Sequence, residues 1–193
     1  MLIHAVVPVS QANGPGERFV IWTQGCSRRC PGCFNPMAWE PRKSAGFPAE
    51  LTTGQIISLI PADKVSGITV SGGEPFEQPE ELRLLLAAAH SLGLNTCVYS
   101  GCTYEELRRS APGALREVDI LIDGPFLQDV PRTNAWAGSG NQRVLCLQDG
   151  EVIFGDAFFS SSPLQRPVGP QGEIFIDKAG RVTVTGSFAL NLQ

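Results

Sequence analysis

The chain has 193 residues, a formal net charge of −4 at pH 7, 42% hydrophobic residues and 18% charged residues. This composition supports a folded core and excludes a disordered chain, and the acidic balance disfavours nucleic acid or anionic membranes as partners. No apolar run reaches the roughly 20 residues that span a bilayer, and the first residues lack the pattern of a signal peptide. We therefore expect a cytoplasmic protein of one domain, with at most a small appendage.

The first two thirds of the chain predict strands that alternate with helices. Apolar runs indicate strands at 3–9, 19–23, 67–71, 95–100 and 119–122. Helices are predicted within 47–61, at 79–92 and at 103–110, and the first and third begin at capping boxes headed by Thr52 and Thr103. This alternation is typical of parallel β/α units, which place a functional site at the carboxyl ends of their strands.

The pattern changes after about residue 142. Apolar runs at 144–147 and 152–154 flank Asp149 and Gly150, a pair that favours a hairpin turn. A stretch rich in Ser, Pro and Gly at 160–172 predicts a linker, and a second hairpin is predicted from 173–177 and 182–185, with its turn at Ala179 and Gly180. We therefore divide the chain into a body of residues 1–148 and a β-rich C-terminal appendage of residues 149–193.

An isolated two-stranded hairpin is marginal in water, so the appendage needs a surface on which to dock. We expect it to pack near the mouth or the open edge of the body, without contact to the cysteines described next. Its role there is either recognition of a partner or protection of a sheet edge against aggregation.

Three of the six cysteines, Cys26, Cys30 and Cys33, lie close together in the chain. Without a targeting sequence, this spacing indicates a metal site and not a disulfide framework. A C-x3-C-x2-C loop can place three thiolates on a four-iron cluster with one iron left open, or on a zinc ion. Zinc needs a fourth ligand, for which only His4, His90 or a distant cysteine is available. The spacing favours iron–sulfur and leaves zinc open.

A second motif, Ser71-Gly72-Gly73-Glu74-Pro75, follows a predicted buried strand. Its two glycines let a ligand approach the backbone, and Glu74 offers a carboxylate at the edge of the sheet. Taken alone, the motif also fits a tight turn that leads into an acidic first helical turn. The cysteine loop on an earlier strand of the same sheet strengthens the functional interpretation.

Together, the cysteine loop and the Gly-Gly-Glu-Pro motif resemble the radical S-adenosylmethionine (SAM) superfamily. The wider context is similar to the anaerobic ribonucleotide reductase activating proteins, which are activases of glycyl-radical enzymes. The matching segments lie, in order, at 13–18, 24–35, 71–75, 100–107, 122–126 and 138–143. Cys102 departs from the pattern, because an aromatic residue is usual at that position, and the appendage is not part of the short family pattern.

The resemblance implies an α/β fold, a partial (open) β/α barrel of parallel strands with a C-terminal β-hairpin appendage. It implies one [4Fe-4S] cluster on Cys26, Cys30 and Cys33, whose open iron holds the amino and carboxylate groups of SAM. Reduction of that cluster cleaves SAM into methionine and a 5′-deoxyadenosyl radical. The implied partners are a glycyl-radical enzyme of the anaerobic ribonucleotide reductase kind and an electron donor such as flavodoxin or ferredoxin.

The residues that the resemblance places near SAM or the cluster are Gly32, Phe34, Gly72, Gly73, Glu74 and Asp123. The backbone of the two adjacent glycines would approach the methionine amino group, and Glu74 would neutralise its charge. Gly32 would meet the adenine and Phe34 would shield the cluster, although Phe34 also fits core packing. Asp123 either reaches the SAM ribose or the partner's loop, or belongs to an ordinary turn.

Several residues near these motifs have a simpler interpretation. Arg28 and Arg29 either offset the charge of the cluster or are solvated loop residues. Cys97 and Cys146 fit apolar strands and lack ligand spacing.

Two other functions remain open at this stage. One is a radical SAM enzyme that acts on a small molecule or a peptide, and the other is a zinc-stabilised binding domain.

Overall fold

Seven strands form one sheet in the computed structural model, which describes residues 1–41, 50–155, 171–176 and 182–187. The strands follow one another across the sheet in chain order: β1 Ile3–Ser10, β2 Arg18–Thr23, β3 Gly67–Gly72, β4 Asn95–Tyr99, β5 Ile120–Asp123, β6 Arg143–Gln148 and β7 Glu151–Phe154. Strands β2 to β5 are parallel, whereas β1, β6 and β7 run antiparallel to their neighbours. The strands predicted from the apolar runs are confirmed, and the open barrel stays a prediction.

The helices connect the parallel strands and cover one face of the sheet. They are α1 Thr53–Ser58, α2 Pro79–Ser91, α3 Tyr104–Ser110 and α4 Pro112–Leu115. Both predicted capping boxes are present, because the Thr52 and Thr103 side chains accept from the third helical backbone N–H. The short helix α4 was not predicted; it starts at a proline, whose fixed φ suits the first helical position.

The two faces of the sheet are covered differently. On one face, Ile68 and Val70 of β3 belong to the main core, which also contains the buried leucines of α2. On the other face, Cys97 and Ile122 pack with Trp136 from the loop between β5 and β6. That second face leads to the functional site, because Tyr99 and Trp136 of this small cluster also line the cavity there.

Arg18, at the start of β2, is fully buried at the amino-terminal end of the parallel strands. Its guanidinium donates to the Thr69 hydroxyl at 3.1 Å, to the Ile68 carbonyl and to the Asn95 side chain. The Thr69 hydroxyl in turn donates to the Asn13 carbonyl at 2.7 Å. Burial lowers the pKa of Arg18, and these acceptors compensate for the water that the cation loses.

A separate antiparallel hairpin, β8 Gln171–Ile176 and β9 Val182–Ser187, docks at the end of β1 and on the turn that follows it. Glu173 accepts from the Ser10 hydroxyl and from the Gln11 backbone N–H, the latter at 2.9 Å. Ser10 pairs with the start of β2, whereas the cysteine loop follows the end of β2. The hairpin therefore contacts edge strand β1 at the end remote from the cysteines and not at the carboxyl ends of the strands.

The first hairpin, the linker and the second turn of the predicted appendage have separate outcomes. Strand β7 pairs with β6 in the main sheet, and the division of the chain at residue 148 stays a prediction. The linker up to residue 170 and the turn at Ala179 and Gly180 lie outside the described residues. Within the part of the chain that is described, no helix has the length and apolar character of a membrane span.

The hairpin contact predicts a local effect of Glu173→Ala. We expect this variant to accelerate hydrogen exchange of the β8 and β9 amides, since the loss of two hydrogen bonds to a carboxylate corresponds to about 1–3 kcal/mol. Ile174→Ala is the matched control, because the Ile174 side chain is largely exposed. Equal exchange rates in the two variants would contradict the docking role of Glu173.

Candidate functional site

A cavity of about 220 Å³ opens at the carboxyl ends of β2, β3 and β4. Its wall brings together most of the residues expected near the cofactors: Cys26, Cys30, Cys33, Phe34, Gly72, Gly73 and Glu74. Gly32 and Asp123 are not among the described residues that line it. The two sequence motifs therefore meet at one site, although they lie about 40 residues apart in the chain.

The cysteine loop curls because its backbone is anchored at one end and bends sharply further on. The N–H groups of Gly25 and Cys26 donate to the carbonyls of Ala38 and Trp39, at 2.7 and 2.9 Å. Arg29 and Gly32 have positive φ angles of 48° and 70°. Left-handed residues reverse the chain within a few positions, so the three thiols are presented on one short loop.

The three cysteines of this loop are free thiols that suit a thiolate-binding metal centre. Burial raises the pKa of the Cys26 thiol, and the nearby carboxylates of Glu74 and Glu77 raise it further. A coordinated metal reverses this effect, because it holds the thiol in its deprotonated form. Among the described residues, no group of three or more His, Cys, Asp and Glu converges on a single ion. On a four-iron cluster, in contrast, each thiolate binds a different iron.

Gly72 and Gly73 allow two backbone segments to cross. The Gly73 N–H donates to the Thr23 carbonyl at 2.8 Å, and the next N–H donates to the Gly25 carbonyl at 2.8 Å. A Cβ on Gly73 would lie 2.1 Å from the Gly25 carbonyl oxygen, and one on Gly72 would lie 2.4 Å from the Thr23 nitrogen. The glycines thus fix the start of the cysteine loop against β3, a use that the sequence analysis did not anticipate.

Glu74 is buried, with 3% of its surface exposed, and it binds other parts of the protein. Its carboxylate accepts from the Phe76 N–H at 3.1 Å, the Ser100 hydroxyl at 2.9 Å and the Gly101 N–H at 2.8 Å. Burial raises the pKa of Glu74, and these three donors act against that rise. Glu74 therefore joins the loop after β3 to the loop after β4. Its contact with the methionine amino group stays a prediction.

Aromatic residues form the remaining wall. Phe34 is 62% exposed at the rim, where its ring centroid lies 5.2 Å from that of Phe126, so the core-packing interpretation of Phe34 is wrong. Trp22, Tyr99 and Trp136 also line the cavity and were missed by the sequence analysis. Alternation along β2 and β4 could have revealed the first two, whereas Trp136 lies in a loop without a periodic pattern.

Asp123 lies at the end of β5, fully buried, and is held by protein groups. It accepts from the Arg143 guanidinium and from the Tyr104 backbone N–H, the latter at 2.6 Å. Arg143 also pairs with Glu105 at 2.9 Å, and this pairing lowers the pKa of Glu105 to about 2. In this structure Asp123 stabilises the junction of β5, α3 and β6.

This environment predicts that Asp123→Asn destabilises the fold. We expect a loss of about 1–3 kcal/mol in the free energy of unfolding, because two charged hydrogen bonds are weakened and a buried donor loses its acceptor. Urea unfolding of the metal-free chain measures this loss. Unchanged stability combined with weaker SAM binding would instead support direct contact of Asp123 with the ribose.

The remaining cysteines and histidines have structural surroundings. Cys97 is buried and Cys146 packs against the same small core, as predicted. His4 contacts the Gln24 side chain at 2.8 Å, and His90 lies between Glu117 and Asp119.

The chain matches a protein family described as "4Fe-4S single cluster domain" over residues 12–145. The match spans the cysteine loop, the Gly-Gly-Glu-Pro motif and strands β2 to β5. It selects the iron–sulfur interpretation of the cysteines over the zinc interpretation. The class is therefore that of iron–sulfur proteins with one four-iron cluster.

Individual relatives define the family more closely. The chain is 33% identical over 151 residues to the anaerobic ribonucleoside-triphosphate reductase-activating protein of Escherichia coli K12, covering 75% of this chain and 97% of that protein. The protein of the same name from enterobacteria phage T4 is 30% identical over 149 residues, with 75% and 94% covered. The chain belongs to the 4Fe-4S single cluster family that includes these reductase-activating proteins. About a quarter of its length lies outside the matched region.

Proposed function

We propose that the chain activates an anaerobic ribonucleotide reductase by forming a glycyl radical on it. The observation that carries this proposal is the cavity in which three cysteines of one loop meet the Gly-Gly-Glu motif. The relatives named above are activating proteins for a reductase, and this chain covers nearly their whole length. The proposed compartment is the cytoplasm, where thiols stay reduced.

Cys26, Cys30 and Cys33 would hold the cluster, and the cavity beside them would hold SAM. When bound, the cluster supplies one electron to the sulfonium of SAM, which yields methionine and a 5′-deoxyadenosyl radical that takes a hydrogen atom from a glycine Cα of the partner. The chain's residues position these groups and limit the access of water. Trp22, Tyr99 and Trp136 supply apolar walls to the cavity that would hold SAM.

The reacting glycine must reach the cavity from outside. Phe34 and Phe126 form part of the rim and expose aromatic surface to an incoming chain. A glycine in an extended loop has no side chain to obstruct this approach. A radical SAM enzyme that acts on a small molecule or a peptide would use the same cavity, so the two functions differ in the identity of the substrate.

Electron paramagnetic resonance of the mixed proteins tests the proposal. The cluster-loaded chain is incubated with SAM, a reductant such as reduced flavodoxin, and the purified anaerobic ribonucleotide reductase. We expect an organic radical on the reductase and 5′-deoxyadenosine in equal amount. A reductase whose radical-bearing glycine is replaced by alanine is the control and should give neither. Deoxyadenosine formed at the same rate without the reductase would contradict the proposal.

A further inference from the structure

Two adjacent arginines in the cysteine loop have different surroundings. Arg29 is more than half exposed, pairs with Glu40 and lies 6.0 Å from the centre of the Trp39 ring. Arg28 lines the cavity, and only 26% of its side chain is exposed. Of the two alternatives for these arginines, the solvated loop residue fits Arg29, whereas Arg28 is largely buried in the cavity wall.

The Arg28 side chain lies across Gly101, where the loop after β4 has no side chain. A Cβ on Gly101 would lie 2.5 Å from Arg28 Cδ and 2.7 Å from Nε. The Gly101 N–H donates to Glu74 at 2.8 Å, so the arginine stem packs on the segment that Glu74 holds in place. This packing places the Arg28 side chain in the wall of the cavity.

The hydrogen bonds of Arg28 are incomplete. One terminal nitrogen lies 3.6 Å from the carboxylate of Glu106, which is itself half exposed. The Nε–H is buried and has no acceptor among the residues that the structure describes. A buried donor without an acceptor costs free energy, and a charged donor costs more than a neutral one.

The charges that line the cavity indicate what kind of acceptor fits the Nε–H of Arg28. Arg28 is the one Lys or Arg among the described residues that line the wall, which also carries Glu74 and three potential thiolates. SAM and the cluster, the two cofactors of the proposed function, carry further negative atoms: the methionine carboxylate and the sulfides. A guanidinium binds such atoms with directed, charge-assisted hydrogen bonds.

We propose that Arg28 is the anion-binding residue of this cavity. Its Nε–H donates to a negative atom of the bound cofactors, either the methionine carboxylate of SAM or a sulfide of the cluster. The proposal rests on the proposed function only in that both cofactors bind here. It does not require the glycyl-radical partner.

Anaerobic binding measurements on the cluster-loaded full chain test this role. The variant is Arg28→Gln, and the matched control is Arg29→Gln, which changes the neighbouring charge in an exposed position. Three quantities are compared: the Kd of SAM, the Kd of decarboxylated SAM, and the reduction potential of the cluster without SAM. Iron content and thermal unfolding show whether each variant is loaded and folded.

The two acceptors give different results. If the acceptor is the methionine carboxylate, Arg28→Gln weakens SAM binding about 10- to 100-fold and leaves the affinity for decarboxylated SAM unchanged. If the acceptor is a cluster sulfide, the potential of the SAM-free cluster becomes more negative, because a nearby cation and a hydrogen bond to sulfur are lost. Whichever acceptor is correct, Arg29→Gln leaves both the SAM affinity and the potential of the SAM-free cluster unchanged.

Equal SAM affinities and equal potentials in the Arg28→Gln and Arg29→Gln chains would overturn the proposal. If Arg28→Gln fails to retain iron, Arg28→Lys is measured in the same way, since it keeps a positive charge without an Nε–H at this position. A lysine variant with wild-type affinity and potential would show that the positive charge is sufficient and would overturn the role of the Nε–H. Failure of the proposed function is separate, because it appears as normal SAM binding without a radical on the reductase.

Discussion

Alanine at any one of Cys26, Cys30 or Cys33 is expected to abolish assembly of the four-iron cluster. If each thiolate binds a different iron, as we propose, two remaining ligands would not fix a cluster that the protein binds at three points. Iron and acid-labile sulfide per chain, measured after anaerobic reconstitution, should fall to background together with the visible absorbance of the cluster. SAM cleavage should be lost in the same samples.

Cys97→Ala and Cys146→Ala are the matched controls for these variants. Both residues belong to the small core against Trp136, and neither lines the cavity among its described residues. We expect wild-type iron content in both, with a modest loss of stability at the buried Cys97. Loss of iron from Cys97→Ala with full retention in Cys26→Ala would show that the ligands are assigned incorrectly.

We expect Gly73→Ala to impair cluster binding at the same site, because it displaces the backbone next to Cys26. The new Cβ would lie 2.1 Å from the Gly25 carbonyl oxygen, so one of the two segments must move by about 1 Å to reach an allowed contact. Overpacking of this kind costs about 1–3 kcal/mol. Because Gly25 immediately precedes Cys26, the shift also displaces the thiol that we propose as the first ligand, and we expect iron content to fall to less than half.

Gly54→Ala provides the comparison, since a Cβ on this helical glycine meets nothing within 4 Å among the described residues. Alanine there should leave the iron content unchanged and raise the free energy of unfolding by up to about 1 kcal/mol. Urea unfolding and iron analysis of both variants decide the matter. Wild-type iron content and stability in Gly73→Ala would contradict the crossing of the two segments.

Local patterns were sufficient to predict much of the fold. The strands, the long helix α2 and both capping boxes follow from apolar periodicity and from residues within one turn of each other. The cysteine spacing favoured an iron–sulfur centre for the same reason, because the three positions lie on one short loop, and the family match confirms that class. The assignment of Cys26, Cys30 and Cys33 as its ligands stays a prediction. Such features depend on neighbouring residues and need no knowledge of the tertiary structure.

Features that depend on distant contacts could not be predicted. Two of the three donors to Glu74, the Ser100 hydroxyl and the Gly101 N–H, belong to the loop after β4, 26 and 27 residues further along the chain, so this network of hydrogen bonds left no local pattern. Arg28 and Arg29 look equivalent in the sequence, but Arg28 packs on Gly101 and Arg29 pairs with Glu40, and both contacts are distant in the chain. The hairpin contact between Glu173 and Ser10 joins residues 163 positions apart.

The most direct test of the proposed function is to follow the hydrogen atom that leaves the partner's glycine and enters the 5′-deoxyadenosine formed from SAM. The reductase is labelled with deuterium at the glycine Cα and incubated with the reduced, cluster-loaded chain and unlabelled SAM. We expect 5′-deoxyadenosine to gain one deuterium and an equal amount of radical to appear on the labelled glycine. Deoxyadenosine free of deuterium, with no radical on the reductase, would contradict it.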